Sequence, residues 1–382
     1  MISIRSITFF EGTKEAGGTL PSDFAANKIN STICEMGLDA RTLRYTLAPI
    51  YLTQFADFDE EISVLSGRLR SLESMGFRWA NQPFLCDGLS KVGIDPIVEN
   101  SLKQLLSKEH KLFSSLSLTD RADISAGSDL YSKISKSISR YDLSGFSNFR
   151  FGIGANIGAG TPYYPFAYSK EYGFSVAVES LATVSDAWRE TQSFRGVSAL
   201  LSAELTNIQK SMELLSQKIG LPFLGLDWSL APLPNSDMSV CALIEDMAGV
   251  PIGSPGCLTV IENLTAAIKD PIGIVKGVGF NGVMLSVMED DLLAERFGSG
   301  HVTINELLLY STVCGCGLDM IPIAGSESEK SIARITSDVA HLAFRLKKPL
   351  GVRFLPIDTK AVGEQTSFAH DFVTNTAVSH LR

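Results

Sequence analysis

Histidine is scarce in this chain, 5 residues in 382, and none stands in a recognisable relation to Cys314 or Cys316. No second closely spaced cysteine pair exists, so the pattern argues against a zinc centre. Positive charge is thin as well: 33 Lys+Arg against 42 Asp+Glu leave a net charge of −9, with no long block of one sign. That excludes a nucleic-acid surface, because neutralising phosphates needs clustered Lys and Arg. Long apolar runs are missing too. The longest weakly charged stretch, Pro271 to Met288, is broken by Lys276, Asn281 and glycines, so no membrane helix is expected. Residues 1–10 alternate like a strand and lack the apolar run of a signal peptide. With 6 cysteines in so long a chain, free thiols and a cytoplasmic setting are expected.

What is present is a core. Hydrophobic residues make up 45% and charged residues 20%, which excludes a disordered chain. Strand-like and helix-like stretches alternate over most of the length, which predicts an α/β fold with a largely parallel sheet. About ten strands without a Pro- or Gly-rich linker favour a single domain over 1–382. Glu190 to Ile219 reads as a long helix, and Leu221 to Leu226, Gly282 to Met288 and Gly351 to Ile357 read as strands. Residues 90–145 are Ser/Lys-rich with recurring Leu and Ile. They read as a variable, mostly helical insertion, with Ser114-Ser115-Leu116-Ser117 alternatively a mobile loop.

Several phrases bear on chemistry. Gly225-Leu226-Asp227, followed by Ser229 and Pro232, is echoed by Gly317-Leu318-Asp319 and Pro322. Each phrase delivers a carboxylate at a strand end, where sites collect in α/β folds. Gly277-Val278-Gly279-Phe280-Asn281-Gly282 spells a dinucleotide fingerprint, but the next residues, Val283 to Met288, read as a strand and not as a helix, so a dinucleotide site is rejected. The glycine-rich run Gly152 to Thr161, with Asn156, suits either a backbone that approaches a ligand or close strand packing. Cys314-Gly315-Cys316 offers a nucleophile or merely buried thiols. Glu289-Asp290-Asp291 suits a divalent cation, a base or a helix cap. Arg44 and Arg353 sit in apolar stretches, where each must be half of an ion pair or an anion clamp.

Taken together, Ile4-Arg5-Ser6-Ile7-Thr8, Leu226 to Pro232, Gly282 to Asp290, Cys314 to Ile323 and Val352-Arg353-Phe354-Leu355-Pro356 resemble the motifs of domain-of-unknown-function family 711. The fold of that family is grouped with pyruvate formate-lyase-like enzymes. The resemblance implies an α/β, pyruvate formate-lyase-like barrel of about ten strands surrounded by helices, built as two parallel half-barrels running antiparallel. It implies Asp227, Ser229, Glu289, Cys314, Asp319 and Arg353 as motif residues, with Arg44 and Asn156 matching less closely. Where relatives often carry His-Gly, this chain has Tyr168-Ser169. No glycyl radical is expected: neither Gly351 nor Gly363 lies in the required C-terminal loop, and Cys314 and Cys316 are not adjacent.

The reading that results is an enzyme acting on a small anionic metabolite in the barrel centre. Asp227 and Asp319 would be acid and base and Cys314 the nucleophile. Arg44 and Arg353 would hold the anion, with Asn156, Ser229 and Glu289 also on the substrate. No cofactor motif is identified, although Glu289 and Asp290 suit a divalent cation. The alternative is a non-catalytic ligand-binding or regulatory protein using the same pocket. A homodimer is expected through the helices of residues 95–142.

Overall fold

The computed structural model describes residues 3–13, 24–54, 58–234 and 238–381. It is an α/β structure whose ten strands are β1 (Ser3–Phe10), β2 (Ala40–Thr46), β3 (Ile50–Tyr51), β4 (Ala80–Leu85), β5 (Leu112–Leu118), β6 (Phe151–Ala155), β7 (Gly173–Glu179), β8 (Phe223–Asp227), β9 (Gly317–Ala324) and β10 (Leu350–Ile357). Their order across the sheet is β8-β7-β1-β2-β4-β5-β6-β10-β9, with β3 beside β4. The central strands β1, β2, β4, β5 and β6 are mutually parallel. β7 meets β1 antiparallel, and β10 meets β6 antiparallel, so both flanks run against the centre. The two edges approach through the segment 277–286. Leu226 bridges Gly277, and Leu230 bridges Val283, on the side of β8; Ser286 bridges Asp319 on the side of β9. The stretch Gly282 to Met288, expected as a strand, makes only such single bridges and ends in the short helical turn Val287–Glu289.

The segment expected to be an outlying helical insertion contributes a central strand. β5 is buried at all seven positions between β4 and β6. Its alternation of Leu112, Ser114, Leu116 and Leu118 against Phe113, Ser115 and Ser117 has period two, masked because serine scores as a loop former. The adjoining helix Ile124–Tyr141 is not peripheral either. It packs on the helix Glu329–Leu346 and on β10, and buries Ile124, Leu130, Tyr131, Ile134 and Ile138.

One face of the sheet is covered by its own chain. Between β6 and β7, Thr8 Oγ1 donates to Pro162 O at 3.0 Å, Asn81 Nδ2 to Ala167 O at 2.7 Å and Tyr164 Oη to Tyr45 O at 2.6 Å. The Phe166 ring lies against Gly152 and Gly351, where an added Cβ would stand 2.8 and 2.5 Å from ring carbons. These glycines therefore make room for a ring, which is the close-packing reading of the Gly152 to Thr161 run. The space left to a ligand lies at one end of the sheet rather than along its middle.

Candidate functional site

A cavity of about 300 Å³ opens where the amino ends of the central strands meet the carboxyl ends of the flanking ones. From the first group come Arg5 of β1, Arg41, Thr42 and Arg44 of β2, Arg78 and Trp79 ahead of β4, Phe113 of β5 and Phe149 ahead of β6. From the second come Pro232 to Pro234 after β8, Glu289, Arg353 of β10, and His370 and Phe372 beyond it. Tyr163 and Tyr164 of the covering segment form the inner wall.

Two arginines reach this cavity from register irregularities. The pairing of β1 with β7 shifts between Ile4 and Ser6, at Arg5. That of β10 with β9 shifts between Val352 and Phe354, at Arg353, where the facing Met320 takes a left-handed φ of 53°. Bulges of this kind re-aim side chains beside functional sites.

The five guanidiniums of the cavity are not equivalent. Arg353 is saturated. It binds Asp319 through Nε and Nη2, both at 2.8 Å, Glu289 through Nη2 at 3.2 Å and Phe149 O through Nη1 at 3.2 Å. Burial alone would lower its pKa, but Asp319 and Glu289 outweigh that and raise it. Arg5 donates to Ala231 O and Pro232 O, both at 3.2 Å, and Arg41 pairs with Glu179 at 2.6 Å. Arg44 differs: its guanidinium lies 5.0 Å over the Tyr164 ring and has no hydrogen bond or ion pair among the described residues. Burial lowers it to about 10, so it stays charged at neutral pH. Arg78, exposed at the mouth, likewise rests on the Trp79 ring without a polar partner among the described residues.

Of the residues singled out from sequence, Arg44, Glu289 and Arg353 line the cavity, and Asp319 stands behind Arg353. Asp227 does not reach it. Asp227 is fully buried and accepts from Ser229 Oγ at 2.6 Å, Ser229 N at 3.0 Å, Phe280 N at 2.8 Å and Asn281 N at 3.3 Å. Burial pushes its carboxyl up while these donors pull it down. Ser229 is consumed in the same knot, accepting from Gly282 N at 3.2 Å. The rejected fingerprint Gly277 to Gly282 thus cradles a protein carboxylate, not a phosphate. A Cβ on Gly279 would stand 2.1 Å from Asp227 Oδ2. Asn156 adopts a left-handed φ of 57° after β6 and lies off the cavity wall.

Cys314 is off the wall as well. Both it and Cys316 are buried, with Lys348 donating to the Cys314 carbonyl. A hydrogen bond from Cys316, reinforced by the Lys348 ammonium, brings the Cys314 thiol down to about 6 against the effect of burial; Cys316 is raised in return. The carboxylates expected to share a cation diverge. Asp290 is buried and accepts from Ser239 Oγ, Cys241 N and Leu293 N, which caps the helix Asp291–Gly298, whereas Glu289 turns to Arg353. Among the described residues, no group of three or more metal-type ligands comes together.

Sequence reasoning passed over Arg5, Arg78, the aromatic wall and His370. Arg5 belongs to one of the family-like motifs and Tyr163-Tyr164 adjoin the glycine-rich run; their polar character in apolar surroundings was the available signal. His370 carried no local signal. Its Nδ1 accepts from Phe372 N at 3.3 Å, which in the neutral ring leaves Nε2 as the donor.

A family model described as "Uncharacterised ACR (DUF711)" matches residues 28–371. The chain belongs to that family. Its curated relatives carry the name UPF0210 protein. One from Pyrobaculum aerophilum is 32% identical over 220 residues, 54% of this chain and 49% of the relative. Another, from Pyrobaculum arsenaticum, is 28% identical over 227 residues, 56% and 51% of the two chains. A third, from Bifidobacterium longum subsp. infantis, is 33% identical over 156 residues, 40% and 34%. The aligned part of this chain spans about half the length of the first two relatives. The family places the resemblance read from the sequence on firm ground and brings no activity with it. Among the described residues, no helix is long and apolar enough to cross a membrane.

Proposed function

We propose that the protein is an enzyme that takes a small anionic metabolite into this arginine-lined cavity. The observation that carries the reading is Arg44. A half-buried guanidinium with no hydrogen bond or ion pair among the described residues is partly desolvated at a cost, and a ligand carboxylate or phosphate would repay that cost with bidentate hydrogen bonds. Proton transfer falls to Glu289 and His370, the carboxylate and imidazole on the wall, instead of the Asp227 and Asp319 pair. Glu289 is oriented by Arg353, and Asp319 acts through that same arginine. In this reading Cys314 has no path to the ligand and is not the nucleophile. A pyruvate formate-lyase-like closure of the sheet through segment 277–286 fits the same picture.

The second reading, a non-catalytic binding or regulatory protein, uses the same cavity. We also propose a homodimer in a reducing compartment: all six cysteines are free, and Val92, Ile97, Tyr141 and Leu143 are exposed. The deciding experiment is a thermal-shift screen of small anions, followed by mass spectrometry of each stabilising compound after incubation with the protein. Stabilisation that is lost in Arg44→Met, together with a new product mass, supports the enzyme. Stabilisation without any product favours the binding protein. If no anion stabilises the wild type, the cavity reading is wrong.

A further inference from the structure

Charge counting around the cavity narrows the ligand. Arg5, Arg41, Arg44, Arg78 and Arg353 line it, and three carboxylates face them: Glu289 on the wall, Glu179 on Arg41 and Arg5, and Asp319 on Arg353. Among the described residues, five guanidiniums on the wall meet three carboxylates, an excess of two positive charges. The two guanidiniums without a polar partner among the described residues are Arg44, deep on β2, and Arg78, at the mouth. Asp227 lies off the cavity wall, and its oxygens accept from three backbone amides and the Ser229 hydroxyl, so it is the hydrogen-bond partner of none of these arginines.

A third unpartnered group points the same way. Tyr163 lines the cavity at 7% exposure, and its hydroxyl is buried with no hydrogen-bond partner among the described residues. Burial raises its pKa, so Oη remains a donor. Arg5 sits over the Tyr163 ring at 5.8 Å, which puts a second guanidinium in the same corner. Arg44 and Tyr163 Oη are thus two donors on one wall without an acceptor among the described residues, a pairing suited to an oxyanion. The remaining wall is aromatic: Trp79 and Phe113 meet edge to face at 5.6 Å, and Phe113 and Tyr164 lie 5.2 Å apart.

We propose that the ligand is a small dianion with an apolar body, one oxyanion held by Arg44 and Tyr163 Oη and the second charge answered by Arg78 at the mouth. The inference rests on the anion-site reading above and adds charge and polarity to it. A dicarboxylate and a phosphomonoester share this chemistry.

The test measures affinity by calorimetry at neutral pH and low salt for two matched pairs, isophthalate against benzoate and phenyl phosphate against benzenesulfonate. The dianion of at least one pair should bind about tenfold more tightly than its monoanion. The pair that shows the gap tells dicarboxylate from phosphate. Arg78→Met should bring the dianion down to the level of the monoanion and leave the monoanion unchanged. Tyr163→Phe should weaken both several-fold without lowering the melting temperature. Equal affinity within both pairs, or equal weakening of both members by Arg78→Met, overturns the dianion and leaves the anion site standing. Binding of none of the four compounds overturns both.

Discussion

Two strand ends carry the same phrase, Gly-Leu-Asp, and do different work. At Gly225-Leu226-Asp227 the carboxylate is enclosed by Ser229, Phe280 and Asn281 and is fully buried. At Gly317-Leu318-Asp319 the next residue, Met320, turns left-handed, and the carboxylate pairs with the Arg353 guanidinium on the cavity wall. The difference lies in what the rest of the chain brings to each Asp. The first receives backbone amides from a glycine-rich segment some fifty residues on. The second receives a charged side chain from the neighbouring strand β10. A carboxylate closed by fixed amides holds loops together. One closed by an arginine that also touches Glu289 orients a site.

The comparison breaks most sharply at Asp227. Removing that carboxylate strands three buried N–H groups and a hydroxyl, so Asp227→Ala should cost about 3 to 5 kcal/mol, read from urea denaturation. Anion affinity of the molecules that remain folded should be unchanged. A variant of normal stability that no longer binds anions would exchange the roles of the two strand ends. Arg353→Met comes next: it leaves Asp319 and Glu289 facing each other without a counter-charge and should cost about 2 to 4 kcal/mol. Here affinity should fall together with stability, because Glu289 loses its orientation. Normal binding in this variant would show that Glu289 is not part of the ligand site.

Arg44→Met reverses the pattern. The native guanidinium is half-buried on the cavity wall without a polar partner among the described residues, so its removal should leave stability unchanged or raise it by up to about 1 kcal/mol. Anion affinity should drop about 30-fold or more. Loss of stability in Arg44→Met would reveal a structural partner for this arginine and remove the main support for the cavity reading.

The fold class was legible from alternation, because strands buried on both faces read as apolar runs that few other arrangements produce. β5 was not, since serine hides a period-two pattern that only its neighbours β4 and β6 make meaningful. Arg44 and Arg353 stood out because charge inside an apolar stretch needs an explanation wherever it falls, and Glu289 because it opens a run of three carboxylates. Asp227 stood out through the repeated Gly-Leu-Asp phrase at a strand end, and a phrase does not show whether amides arrive from elsewhere to engage the carboxylate. His370 and Trp79 were invisible because they enter the cavity from separate strand connections, and no local spacing encodes that meeting.

The smallest expected effect concerns the start of the strand that delivers Asp319. Cys314 is brought down to about 6 by the Cys316 hydrogen bond and the Lys348 ammonium, while Cys316 is raised. In the unfolded chain both thiols titrate near ~8.5. Between about pH 6 and that value the folded pair has released one proton that the unfolded chain still holds, so stability should rise with pH. Above it the unfolded chain loses its protons first, Cys316 keeps its own, and stability should fall. Because the two thiols titrate as a pair, the direction of the change, a rise followed by a fall, is what the measurement reads. Cys316→Ala removes the donor, lifts Cys314 and should flatten the rise, while groups elsewhere titrate as before. Urea midpoints of both proteins in reducing buffer across this range measure the difference. Parallel curves would mean that the thiols are inert filling beneath Asp319, and that the polar character of this strand end begins only at the carboxylate.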